Sequence, residues 1–90
     1  MPAGTRIADY LDAIGYRRYS RSLVLERQRL LGLAAQCGDD DWLCTAPTET
    51  VIATVRARCQ LRSRTGVQKL SAALDDYRRW RRRQEAGDDE

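Results

Sequence analysis

Residues 67–83 read VQKLSAALDDYRRWRRR, and the spacing of their apolar residues predicts a long amphipathic helix. At 100° per residue its apolar side chains fall within an arc of about 140°, as a helix with one face on a core requires. The side chains on this arc are Val67, Leu70, Ala73, Leu74, Tyr77 and Trp80. Ser63 lies just upstream and is a suitable N-cap. The pattern therefore predicts a helix over residues 64–83.

The residue after Trp80 is an arginine on the same arc of this helix. A guanidinium buried without a partner is costly. We therefore expect the helix to leave the core near Trp80, so that the turn Arg81–Arg83 projects into solvent or onto a partner.

Three shorter helices are predicted upstream from apolar periodicity and from capping residues. Ser20 is a suitable N-cap for the second, and Pro47 suits the first turn of the third. The expected fold is all-α, a compact bundle of four helices at about 5–14, 20–37, 46–60 and 64–83. The acidic run Asp39–Asp41 is interpreted as a solvated turn that ends the second helix.

The chain is expected to hold a single domain, residues 5–83, between a flexible N-terminus at 1–4 and an acidic tail at 84–90. Its net charge of +3 is unevenly distributed. Residues 1–55 carry −1, residues 56–83 carry +8 and residues 84–90 carry −4. A local charge of +8 is typical of a surface that binds a polyanion. A solvated charged face is the alternative.

Several kinds of chemistry have no support in the sequence. The chain has no histidine, and its three cysteines show neither paired zinc-ligand spacing nor the even count of a disulfide framework. We therefore expect no enzyme activity, no metal, no cofactor and no small-molecule substrate. Free cysteines favour a reducing cytoplasm, and the apolar runs are too short to predict a membrane span.

The segment 46–80 resembles the second half of the core-binding domain of tyrosine recombinases and phage integrases. The resemblance lies in the Ala46–Glu49 helix entry, the Ser63–Thr65 helix start, and the Leu70–Leu74 pattern that leads to Tyr77 and Trp80. It implies a four-helix domain that clamps duplex DNA and has no part in strand cleavage. DNA recombination is the process that it implies.

DNA binding is accordingly the first functional hypothesis. Arginines near helix ends would neutralise phosphates, and side chains on an outward helix face would contact base edges. The predicted contact residues are Arg17, Arg18, Arg21, Arg62, Arg64, Gln68, Lys69, Arg79, Arg82 and Arg83. RNA binding is not separable from DNA binding at this point.

A protein-interaction module is the alternative hypothesis. Residues 10–19, YLDAIGYRRY, resemble the opening of a sterile alpha motif, which is a helical interaction module. Tyr16, Tyr19 and Trp80 would then be interface anchors, because aromatic residues dominate the binding energy of many interfaces. The partner would be another protein or a second copy of the chain.

Overall fold

The computed structural model describes residues 3–15 and 19–86, and these residues form five α-helices. They are α1 (Ala3–Gly15), α2 (Arg21–Ala35), α3 (Asp40–Thr45), α4 (Thr48–Cys59) and α5 (Arg64–Glu85). The all-α prediction is confirmed. The expected number of helices is one too low for the described residues, because α3 was not predicted.

Two predicted N-caps are confirmed. Ser20 Oγ accepts a hydrogen bond from the Leu23 amide at 3.1 Å, and Ser63 Oγ accepts one from the Gly66 amide at 3.2 Å. The other ends differ by a few residues: α1 begins at Ala3, α2 ends at Ala35 and α5 continues to Glu85. Sequence patterns locate such ends poorly because terminal turns contribute little to the apolar face.

The interpretation of Asp39–Asp41 as a solvated turn is wrong. Asp39 is the N-cap of α3, and its Oδ1 accepts a hydrogen bond from the Trp42 amide at 2.9 Å. Asp40 follows as the first residue of the helix and is only 4% exposed. Carboxylates at a helix N-terminus satisfy free amides and interact favourably with the helix dipole. The acidic run therefore starts a helix.

The core forms around α5, which packs against all four other helices. The predicted apolar arc of α5 is buried, from Leu70 to Trp80. The other helices contribute the remaining buried apolar side chains: Ile7, Tyr10 and Ile14 from α1, Leu30, Leu31 and Ala34 from α2, Leu43 from α3, and Val51 and Val55 from α4. The helix with the amphipathic pattern analysed first, α5, is thus the central helix of the bundle.

The expectation that the turn after Trp80 projects from the core is wrong for Arg81, although Arg82 and Arg83 are exposed as expected. Trp80 is 7% exposed, and its ring lies 5.8 Å from that of Tyr10 and 6.0 Å from that of Tyr77, between centroids. The next side chain, Arg81, is 12% exposed. Its Nε and Nη2 donate to Asp40 Oδ2 at 3.0 and 2.7 Å. A buried arginine is tolerated here because a buried carboxylate is its partner.

Tyr77 also donates from its hydroxyl to Asp40, at Oδ1, so Tyr77, Asp40 and Arg81 form one group. Tyr10, Asp76 and Arg27 form a second group of the same kind. Tyr10 donates from its hydroxyl to Asp76 Oδ2 at 2.6 Å, and Arg27 Nη1 donates to the same oxygen at 2.8 Å. The Arg27 guanidinium also lies 5.2 Å from the ring centroid of Tyr19. These contacts join α1, α2 and α5.

Removing the buried carboxylate should destabilise the fold strongly. In Asp40→Ala, Tyr77 loses the acceptor of its hydroxyl and Arg81 keeps only the exposed Glu85, at 3.8 Å, and breaking a buried pair costs about 3–5 kcal/mol. The free energy of unfolding, measured by urea titration, should fall by that amount. The matched control is Asp41→Ala, because Asp41 is exposed and should change stability by no more than about 0.5 kcal/mol. Equal losses in the two variants would contradict this role of Asp40.

Stability should also fall at alkaline pH. Burial raises the pKa of Tyr10 and of Tyr77, and the hydrogen bonds to Asp76 and Asp40 raise them further. Below about pH 10 the phenols keep their protons in both states, so they contribute no pH dependence. Above that pH the unfolded chain releases protons that the folded chain retains, and stability decreases.

The test compares urea unfolding at neutral and alkaline pH with a reductant present. The double variant Tyr10→Phe/Tyr77→Phe should be less stable than the wild type at neutral pH but should lose less stability above about pH 10, since it lacks the two phenols. An unchanged alkaline slope in this variant would contradict the prediction.

Candidate nucleic-acid interface

Basic side chains converge where α4 is connected to α5. Arg56 from α4, Arg62 from the connection and Arg64 and Gln68 from α5 line a groove of 500 Å³ together with Val67. The three arginines and Gln68 are exposed. We call this group, Arg56, Arg62, Arg64 and Gln68, the basic turn surface.

The local sequence explains how the connection is held. Gln60 ends α4 in the left-handed conformation, with φ 55° and ψ 38°, and Ser63 caps α5. Leu61 lies between them and packs against the core. A Cβ placed on Gly66 would lie 3.1 Å from Leu61 Cδ1, so glycine at this position allows the connection to approach α5 closely. With Leu61 turned inward, Arg62 is exposed.

The basic turn surface is strongly electropositive. No carboxylate lines its groove, and the first turn of α5 contains no acidic residue. The N-terminus of α5 adds the positive end of a helix dipole. Within residues 6–15 and 19–86, none of Arg56, Arg62 and Arg64 forms an ion pair. These guanidinium groups are therefore available to an anion.

A second groove, of 320 Å³, adjoins the first and contains two of the same arginines. Arg56 and Arg62 line it with Ala53, Ala57 and Leu61. The two grooves thus share Arg56 and Arg62, and together they extend from the outer side of α4 to the second turn of α5. A surface of this form offers several cationic contacts along one path.

The structure brings together Arg62, Arg64 and Gln68 among the predicted contact residues. Two other predicted residues have carboxylate partners: Lys69 Nζ lies 2.7 Å from Glu26 Oε2, and Arg79 Nη2 lies 2.5 Å from Asp75 Oδ2. These two are exposed and ion-paired, unlike the arginines of the basic turn surface.

The remaining predicted contacts lie elsewhere. Arg82 and Arg83 are exposed near the C-terminus of α5, about 27 Å along the helix from Arg64 at 1.5 Å per residue. Arg82 lines a groove that also contains Asp41, Asp75 and Glu85, whose charges oppose an anion. Arg21 is exposed at the start of α2. Arg17 and Arg18 lie outside the described residues.

Arg56 was not among the predicted contacts although it lines both grooves. The signal in the sequence was its place as the first residue of the +8 segment. Periodicity did not single it out, because α4 and α5 are separate helices and only the path of the connection places Arg56 beside Arg62 and Arg64.

Arg78 has a structural role in the same Arg-rich segment. Its Nε donates to the Leu43 carbonyl at 2.6 Å, its Nη2 to the Ala46 carbonyl, and its Nη1 to Thr48 Oγ1 at 3.1 Å. These acceptors are at the end of α3 and the start of α4. Arg78 therefore donates hydrogen bonds to carbonyls at a helix end, and these bonds hold the α3–α4 connection against α5.

The aromatic residues proposed as interface anchors are placed differently. Trp80 is buried in the Tyr10–Tyr77–Trp80 cluster, so it presents little surface to a partner. Tyr19 is half-buried beneath Arg27. Tyr16 lies outside the described residues. The exposed large apolar side chain in the described part of the chain is Leu25.

Cys44 lies inside α3, half-buried, with its Sγ 4.0 Å from Asp40 Oδ1. Burial raises the pKa of the Cys44 thiol, and the negative charge of Asp40 adds to this effect. The thiol is thus less readily ionised than a free cysteine. Across the described side chains, no three His, Cys, Asp or Glu residues form a metal-binding group.

Comparison with known proteins identifies no relative: no family model matches the chain, and no curated protein or solved structure shows significant similarity. The helices within residues 3–15 and 19–86 are all too short or too polar to cross a membrane.

Removing the cap of α5 should loosen the basic turn surface. Ser63→Ala leaves the Gly66 amide without its acceptor, and loss of such a cap costs about 1 kcal/mol. Urea unfolding should report that decrease. Ser22→Ala is the matched control, since Ser22 is exposed inside α2 and alanine favours a helix. A decrease in Ser22→Ala as large as that in Ser63→Ala would contradict the capping role.

Proposed function

We propose that this chain is a non-catalytic DNA-binding domain that contacts duplex DNA through the basic turn surface. One observation carries the proposal: Arg56, Arg62 and Arg64 converge on one groove without carboxylates, whereas other cationic side chains of the +8 segment, Lys69, Arg79 and Arg81, have acidic partners.

The chemistry of the surface favours a phosphodiester backbone over a single small anion. Its arginines extend over two adjoining grooves, as contacts to successive phosphates require. Arginine also matches phosphate oxygens with two parallel donors. Binding of this kind releases counterions and weakens steeply as salt increases.

Gln68 provides the means of base recognition in this proposal. It lies one helical turn after Arg64, on the same exposed face of α5, and both line the groove. A glutamine amide pairs with the N6 and N7 edge of adenine in the major groove. In this proposal Arg62 and Arg64 bind phosphates and Gln68 reaches a base edge.

The resemblance of residues 46–80 to the core-binding domain of tyrosine recombinases supports the same assignment, and it makes DNA recombination the proposed process. A cytoplasmic location belongs to the proposal as well. The alternative of a protein-interaction module receives less support, because Trp80, its main anchor, is buried.

The test is a salt titration of binding to labelled random duplex DNA, followed by fluorescence anisotropy. Arg62→Ala/Arg64→Ala should weaken binding by about tenfold or more and reduce the slope of log K against log salt by about 2, one for each lost phosphate contact. Duplex RNA and single-stranded DNA are measured in parallel and should bind less tightly than duplex DNA.

The matched control is Arg82→Ala/Arg83→Ala, which removes the same charge from the other end of α5. Its salt slope should stay within about 0.5 of the wild-type slope, because these residues are not phosphate contacts in the proposal. Equal losses in the two double variants would indicate attraction by net charge alone and would refute a localised interface. Tighter binding of duplex RNA or single-stranded DNA would refute the choice of ligand.

A further inference from the structure

Two cysteines that are 22 positions apart in sequence meet where α2 and α4 end. Cys37 lies just beyond the last residue of α2, and Cys59 is the last residue of α4. Both are free thiols and half-buried. Neither cysteine lines the grooves of the basic turn surface.

The two thiols share one hydrogen-bond acceptor. Cys37 Sγ lies 3.6 Å from the Leu33 carbonyl oxygen, and Cys59 Sγ lies 3.8 Å from the same oxygen. The sulfurs are therefore at most 7.4 Å apart, the sum of these distances. The third cysteine, Cys44, lies near Asp40 Oδ1 instead. Only one pairing of the three described thiols is thus supported by a shared contact.

We propose that Cys37 and Cys59 are a redox modification site, at which a small-molecule disulfide such as oxidised glutathione converts the two thiols into a reversible intramolecular disulfide. The bond would join the C-terminal ends of α2 and α4. The chain would then exist in a dithiol form and a cross-linked form.

The reaction is two successive thiol–disulfide exchanges. One cysteine thiolate attacks the small disulfide, forms a mixed disulfide and expels one thiolate of the reagent. The second cysteine thiolate then attacks the protein sulfur of that mixed disulfide, and the Cys37–Cys59 bond replaces it as the second reagent thiolate leaves. The protein loses two electrons and two protons, and the reagent gains them as two thiols.

The hydrogen bonding around the two cysteines is compatible with the bond. Forming it removes both S–H donors from the Leu33 carbonyl, but this oxygen still accepts a hydrogen bond from the Gln36 amide at 3.2 Å. No buried acceptor is left unsatisfied. The sulfurs lie at the ends of two helices, and the bond requires the terminal turns to move until the sulfurs reach the S–S distance of about 2.05 Å.

The surroundings of the pair make its oxidation slow at neutral pH. Burial raises the pKa of the Cys37 thiol, and the neighbouring Cys59 raises it further, while the positive charge of Arg58 acts in the opposite direction. Since the thiolate is the nucleophile, the rate of cross-linking should increase as pH rises.

The experiment oxidises the full chain with oxidised glutathione and maps the product. Trypsin cleaves after Arg29 and Arg58, and a second protease that cleaves before aspartate separates Cys37 from Cys44 at Asp39. The expected product is the peptide 30–38 linked to the peptide 59–62. The intact mass should decrease by two hydrogen atoms, and dithiothreitol should reverse the change.

The cross-link should also raise the melting temperature. Closing the loop between Cys37 and Cys59 constrains the unfolded chain, so the increase should be on the order of 10 °C. Cys44→Ser should behave like the wild type. Cys37→Ser and Cys59→Ser should show no increase and no linked peptide.

Three results would overturn the proposal. They are a linked peptide that contains Cys44, a product carrying glutathione on each cysteine without an internal bond, and a cross-linked chain that melts below the reduced chain. The wild-type peptide map decides the first two by itself, so the proposal is testable even if a serine variant folds poorly.

Discussion

Asp40 is the side chain on which the arrangement of α3 and α5 depends. It is 4% exposed, and each of its carboxylate oxygens has a partner: Tyr77 donates to Oδ1, and Arg81 donates twice to Oδ2. An isolated buried charge would be expelled from the core. Here a cation and a hydroxyl from one helix satisfy it, and α3 is fixed against α5 in a single register.

The Tyr10–Asp76–Arg27 group holds α1 and α2 against α5 through the same kind of hydrogen bond and ion pair. Between the two carboxylates lie Tyr10, Tyr77 and Trp80, whose rings pack edge-on or stacked at 5.4 to 6.0 Å between centroids. Each tyrosine thus has its ring in the aromatic cluster and its hydroxyl on a carboxylate. This combination fixes helix positions, since a shift of one helix would leave a buried donor or acceptor unpaired.

These internal contacts also determine which arginines remain available to bind an anion. Arg81 neutralises Asp40, Arg27 neutralises Asp76, and Arg78 binds carbonyls of the α3–α4 connection. The Arg-rich end of α5 is therefore largely structural around Arg78 and Arg81. Arg56, Arg62 and Arg64 are exposed without ion pairs among the described residues and share a groove that no carboxylate lines, whereas the groove of Arg82 contains three carboxylates. The proposed interface therefore lies at the α4–α5 connection.

The helical class, the caps Ser20 and Ser63 and the buried face of α5 could be predicted from the sequence, because these depend on contacts between near neighbours and on a regular period. The sequence also indicated Arg62, Arg64 and Gln68 as candidates, through their charge or polarity and their place at a helix start. The burial of Arg81 with Asp40, the addition of Arg56 to the basic turn surface and the proximity of Cys37 to Cys59 depend on the tertiary structure. Each of these brings together residues from different elements of the fold. No local sequence pattern indicates which distant side chain will pair with a buried charge or lie beside a thiol.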